Sequence, residues 1–180
     1  MRADRFLCVA CAALALAACK PEAAAELPAP TVMTEEAVGY YCQMNLFEHE
    51  GPKAQIHVAG MPQPLWFSQV RDAIAYTRLP EETDEVTAFY VSDMGRAESW
   101  ADPGADNWVA AEQAYFVIES RQTGGMGAPE AVPFGDLAKA EAFAAEKGGR
   151  VVALAEIPDD YVLAPVDISS LATRPGEVAQ

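Results

Sequence analysis

The sequence predicts an α+β domain in which two pseudo-symmetric β-β-α-β units pack together, and three observations predict it. First, "FSQVRDAIAY" (Phe67 to Tyr76) aligns without gaps on "FGDLAKAEAF" (Phe134 to Phe143). Phe67 matches Phe134, Val70 matches Leu137, Ala73 matches Ala140, Ala75 matches Ala142 and Tyr76 matches Phe143, a spacing that suits the core side of a helix. Second, each copy follows two β-prone runs, "KAQIHVAG" and "PLWF" before the first, "QAYFVIES" and "EAVPF" before the second. Third, another β-prone run comes after each copy: "EVTAFYVSD", and "RVVALAEI" beyond the helix-stopping "KGG". A unit of ~45 residues is too small to bury a stable core alone, so the halves should share one.

From the N-terminus, residues 1–18 read as a signal peptide: Arg2 and Arg5 precede the apolar run "FLCVACAALALAAC". The run falls short of the ~20 apolar residues of a bilayer span and ends in Leu16-Ala17-Ala18-Cys19, which resembles a bacterial lipobox. Cys19 is then the expected lipidated N-terminus, and its two or more acyl chains supply stable anchoring. Lys20 follows with no Asp sorting signal, which by analogy favours the outer membrane, on its periplasmic face. Residues 19–34, rich in Ala, Pro and Glu, read as an extended tether. The folded domain is expected over 35–163, its units joined by the loop "MGRAESWADPGADNW", and a loose tail over 164–180.

The formal charge is −15, and signal cleavage removes two arginines and one aspartate, leaving the mature chain one charge more negative. Such a chain repels nucleic acid and anionic lipid, and its charged partners should be basic or cationic. No pair of carboxylates is spaced for acid–base work, and no G-x-S-x-G elbow or phosphate-cradling loop occurs. An enzyme is therefore not expected.

Cysteine usage is more telling. Cys8 and Cys11 leave with the signal peptide and Cys19 takes the lipid, so Cys42 remains as the one free thiol of an exported chain. If "AVGYYCQM" is extended, Val38, Tyr40, Cys42 and Met44 share a face, and thiol stands beside thioether. That pair suits Cu(I), a soft ion, whereas structural zinc needs four Cys or His ligands. The competing reading makes both residues ordinary core, where free cysteine and methionine are common. His49 precedes a Gly51-Pro52 turn within reach of a returning loop; a lone histidine is also often a plain surface residue. His57 lies inside a strand and reads as structural. Met126, in "TGGMGAPE", either supplies a second thioether from the other half or plugs its loop. Met94 is a weaker candidate, and Trp66, Trp100 and Trp108 read as packing groups.

Six stretches stand out in order along the chain: the lipobox at Cys19, "CQM" at 42–44, "EHEGPKAQI" at 48–56, "YVSDMG" at 90–95, "WVAA" at 108–111 and "GGMGAPEAVPF" at 124–134. In that order and spacing they resemble the NosL family, accessory lipoproteins of bacterial nitrous oxide reductase. The resemblance implies a Cu(I) chaperone that delivers copper toward the reductase's tetranuclear copper-sulfide centre, with a membrane transporter complex as a further partner. It also implies a fold similar to part of organomercurial lyase, and a site of Cys42 and Met44 joined by Met126 and His49. Gln43 stands where the family's Cys-Gly-Met pattern has glycine. Two other functions compete: thiol chemistry on a carbon–mercury bond or in thiol exchange, disfavoured by the lack of a second thiol, and a non-metal-binding periplasmic scaffold.

Overall fold

The computed structural model describes residues 27–166. The signal peptide, Cys19 and nearly all of the tail lie outside them. Among the described residues, seven strands form two antiparallel sheets. In the first unit β1 (Ala54–Val58) pairs with β2 (Leu65–Phe67), helix α1 (Val70–Tyr76) follows, and β3 (Val86–Ser92) returns along the other edge of β1. The second unit repeats the pattern with β5 (Tyr115–Ile118), β6 (Val132–Phe134), α2 (Leu137–Lys147) and β7 (Arg150–Ala153). The sheet orders, β2-β1-β3-β4 and β6-β5-β7, put the first strand of each unit between the other two. The repeat seen in the sequence is thus a repeat of topology.

Differences from expectation are local. The recurring segment does not begin in helix: Phe67 and Phe134 are the last residues of β2 and β6, and each helix starts three positions later. The linker contributes a strand, β4 (Trp108–Ala110), which extends the first sheet beside β3. Nor are the helices equally buried. In α1, six of seven residues are buried; in α2 only Ala140 is, and Leu137, expected to face the core, is exposed. One core joins the halves, with Ile56, Ile74 and Phe89 packed in the same cluster as Phe116, Ile118 and Val152. At ~1.5–3 kcal/mol for each fully buried large aliphatic or aromatic side chain, this shared core supplies most of the cohesion.

Part of the expected tether is folded. Residues 27–34 lie along the first sheet: Thr31 N donates to Gln55 Oε1 (2.7 Å), Gln55 Nε2 returns a bond to Thr31 O (2.9 Å), and Tyr90 Oη donates to Pro28 O (2.7 Å). Met33 is buried against Leu46 and Trp108. The composition looked like spacer because a strap needs few apolar residues when backbone bonds hold it. At the other end a short helix, α3 (Asp159–Leu163), is pinned to α1 by Arg71 and Arg78, whose guanidinium groups donate to Ala164 O (2.7 Å) and Ile157 O (2.6 Å).

Candidate metal centre

Residues 38–45 do not form the expected strand. Val38 pairs with Asn45, so the chain must reverse between them. The reversal is closed by Gly39 N to Met44 O (2.9 Å) and Gln43 N to Gly39 O (2.8 Å). Gln43, with φ 56°, sits in the left-handed region that favours glycine. Its side-chain amide donates to Tyr40 O (2.6 Å), which helps hold a conformation costly for a residue with a Cβ. Alternation of faces is lost in this turn, so Val38, Tyr40, Cys42 and Met44 do not line one side. The turn stands on an aromatic platform: Tyr40 meets Tyr76 edge-on (centroids 5.6 Å apart), and Tyr41 meets Phe67 (5.5 Å). Tyr40 N also donates to Trp66 O (2.7 Å), which ties the turn to β2.

Cys42 is half-buried, with its sulfur over Gly39, where any Cβ would collide with it. Its contact is with Ser68 Oγ, at 3.5 Å. That same hydroxyl donates to Met126 Sδ, also at 3.5 Å. Two sulfurs from opposite halves of the fold therefore meet at one buried hydroxyl. Met126 is 43% exposed and Met44 39% exposed, so the surroundings of Cys42 open to solvent.

Met126 reaches this position because its loop lies unusually close to its neighbours. At Gly124 the place of a Cβ is 2.6 Å from Gln69 Oε1 and 2.7 Å from Glu130 Oε2; at Gly125 it is blocked by Glu50 O and by His49 Cβ, 2.9 Å away. Side chains at either position would lift the loop. Gln69 Oε1 also accepts from Met126 N (3.2 Å), and Gln69 Nε2 donates to Asp72 Oδ2 (3.2 Å). His49 is brought beside the methionine loop through Gly125, and its Nε2 is buried without a hydrogen-bond partner.

Beneath the loop lies Glu130, fully buried. Its Oε1 accepts from Arg71 N (2.8 Å) and Ala131 N (2.9 Å), while Oε2 has no partner. Burial pushes its carboxyl up to about 8, against the two backbone donors. Lys53, also buried, donates to Gly51 O (2.6 Å), and burial lowers its ammonium to about 8, opposed by Glu130 and Glu50. Sequence reasoning passed over Ser68, Gln69, Lys53 and Glu130. Only the polar pair Ser68-Gln69 between an apolar strand and an apolar helix hinted that a corner was doing more than turning.

The remaining candidates behave as packing groups. His57 Nε2 lies 2.9 Å from Gln55 Oε1, its ring is edge-on to Tyr90, and burial lowers its pKa. Met94 and Trp100 pack against the buried cluster of Val117, Val132 and Phe134, while Trp66 and Trp108 pack together at 5.8 Å. Among the described residues, no group of three or more His, Cys, Asp or Glu side chains is placed to hold an ion. The structure brings together Cys42 Sγ and Met126 Sδ through Ser68, while Met44 is exposed on the turn and His49 approaches the Met126 loop by its Cβ; two sulfurs are donors that suit a soft ion better than zinc or calcium.

Comparison with known proteins agrees in both sequence and shape. The chain is 53% identical over 167 residues to the copper-binding lipoprotein NosL of Achromobacter cycloclastes, covering 92% of this chain and 86% of that one. It is 31% identical over 119 residues to the copper-binding lipoprotein NosL of Stutzerimonas stutzeri, covering 66% and 60%. The crystal structure of the copper chaperone NosL from Shewanella denitrificans superposes with a TM-score of 0.67 at 30% identity, over 73% of this chain and 96% of that one. With a model of the NosL family also matching residues 30–162, more than half of its length, this chain belongs to the NosL family.

Proposed function

We propose that this chain is a metallochaperone that binds copper as Cu(I) and delivers it for assembly of the copper-sulfide centre of nitrous oxide reductase. The observation that carries the reading is the meeting of Cys42 Sγ and Met126 Sδ at Ser68 Oγ, at an open edge of the fold, in a chain of the NosL family. Thiolate and thioether are the ligands that favour a soft monovalent ion over hard or borderline ones. The two sulfurs differ usefully. A thioether does not titrate, so it offers its lone pair at any pH, whereas the cysteine must give up a proton first. Met44, exposed on the same turn, and His49, whose Cβ approaches the Met126 loop at Gly125, are the further candidate donors on this reading. A small, mainly sulfur set at an open edge of the fold suits an ion that must leave again.

Relatives of this chain are named lipoproteins, and no helix among the described residues is long and apolar enough to cross a membrane. On this reading lipidation at Cys19 is the anchor, holding the domain on the periplasmic face of a bacterial membrane, with the outer membrane favoured by Lys20. The partners on this reading are nitrous oxide reductase and its copper-maturation transporter complex, met by an acidic protein with no affinity for nucleic acid.

The test is Cu(I) titration of the purified chain against a competing chelator. Cys42→Ala should lose more than the ~10–100-fold typical of removing an outer-shell partner. Met126→Leu, which keeps volume and removes sulfur, should lose less. Affinity unchanged in both variants would end the proposal.

A further inference from the structure

We propose that Ser68 and Gln69 are positioning residues that latch the Met126 loop over Cys42, so that the corner between β2 and α1 sets the thioether's place in the sulfur pair. The inference rests on reading Cys42 and Met126 as the copper-holding sulfurs. The loop closes its own neck: Thr123 pairs with Pro129, and Gly124 N donates to Ala128 O and Gly127 N to Gly124 O, both at 2.8 Å. None of those bonds touches the methionine at the tip. The bonds that do come from the corner: Ser68 Oγ to Met126 Sδ, and Met126 N to Gln69 Oε1.

Both latch residues are suited to the role. Ser68 and Gln69 are each only 3% exposed, so neither gains by turning to water. Gln69 is gripped from behind by Asp72, which orients its amide with the oxygen toward Met126. As N-cap of α1, Gln69 makes no capping bond to a backbone N–H of the helix, so its amide oxygen crosses to the Met126 loop of the other half. The Ser68 hydroxyl carries one proton. When that proton serves Met126 Sδ, the Cys42 contact requires the thiol to donate to Ser68 Oγ, which orders all three groups in one chain of bonds. A loop tip fixed in this way presents its thioether without first having to be ordered, and preorganisation of that kind appears as slower release.

The experiment follows Cu(I) dissociation into excess chelator for the full chain and for Ser68→Ala, Gln69→Ala and Met126→Leu, singly and with each latch change combined with Met126→Leu. Ser68→Ala and Gln69→Ala should each release copper about fivefold faster, the weight of one net hydrogen bond. In the Met126→Leu background both should lose their effect, because a latch has nothing to hold once the sulfur is gone. X-ray absorption should count one sulfur fewer around copper in Met126→Leu and a partial loss in the latch variants. A structural role alone would instead give effects that add in full to Met126→Leu, and that outcome overturns the proposal. So does wild-type release from both latch variants while Met126→Leu is fast. If Met126→Leu itself releases copper like the wild type while Cys42→Ala does not bind, the reading of Met126 as a copper-holding sulfur fails and takes the latch with it. Should Gln69→Ala fail to fold, Ser68→Ala, which removes a single oxygen, carries the test.

Discussion

At the corner between β2 and α1 stand Ser68 and Gln69; at the matching corner between β6 and α2 stand Gly135 and Asp136. Asp136 accepts a bond from Lys139 N (3.0 Å) and so caps its own helix. Gln69 leaves α1 uncapped and reaches the Met126 loop. Gly135 has no side chain because the place of its Cβ is 2.7 Å from Asp93 Oδ2, and its N–H donates to Asp93 Oδ1 (2.9 Å). Ser68, in the same place of the other unit, carries the hydroxyl that meets both sulfurs. A corner whose helix is held by burial does not need a capping side chain, which leaves that side chain available for a site. The burial contrast makes this possible: α1 is clamped inside the core, whereas α2 lies on the surface and depends on its cap.

The largest test of that contrast compares matched helix positions. Ile74, fully buried, aligns with Glu141, which is exposed. Ile74→Ala should destabilise by ~2–5 kcal/mol in urea unfolding, and Glu141→Ala should stay within ~0.5 kcal/mol. Similar losses at both would mean that the helices are equally clamped.

A second test concerns what lies under the first corner. Glu130 is raised from 4.5 in the unfolded chain to about 8 in the fold, so between these values the folded protein holds a proton that the unfolded chain has lost. The resulting penalty is absent below pH 4.5, grows as pH rises and is complete above about 8. Stability should therefore fall from pH 5 toward pH 8, and Glu130→Gln should flatten that slope. Lys53, lowered from 10.5 to about 8, changes the profile only above that window. Parallel pH profiles for wild type and variant would show that the acid is not held neutral.

A smaller effect is expected from exchanging the corners. Gly135→Ser, which gives the second corner the residue of the first, should cost ~1–3 kcal/mol, because Asp93 must move from the space that the new side chain requires. Smallest is the cap: Asp136→Ala should lose ~1 kcal/mol, while Gln69→Ala should leave helix content unchanged by circular dichroism. If Gln69→Ala frayed α1, the division of labour between the corners would be wrong.

Much of the fold was legible because it depends on short-range pattern. Apolar strands flanking an apolar helix, with Gly148 and Gly149 after Lys147, gave the two units and the end of α2 in the right order. What was misread depended on surroundings. Leu137 looks like Val70 in sequence, yet one is exposed and the other buried, because the first helix is covered by α3 and the second is not. Residues 27–34 looked like spacer, since backbone bonds to Gln55 and Tyr90 leave no trace in composition. Among the candidate site residues, Cys42, Met44 and Met126 stood out as soft donors by residue type alone. The strand through Cys42 and Met44 did not form, because Gln43 adopts a left-handed conformation that its residue type does not advertise.

Residue order by itself determined that this chain would double a β-β-α-β unit, and that sulfur, not carboxylate or imidazole clusters, would dominate its reactive inventory. Periodicity and ligand softness are properties of neighbouring residues and of atoms, and both survive in a one-dimensional record. Tertiary structure alone decided which sulfurs meet. Cys42, Ser68 and Met126 come from a turn, a strand-to-helix corner and a glycine loop in different halves, and contacts at such separations depend on how the two units pack, which no local pattern encodes.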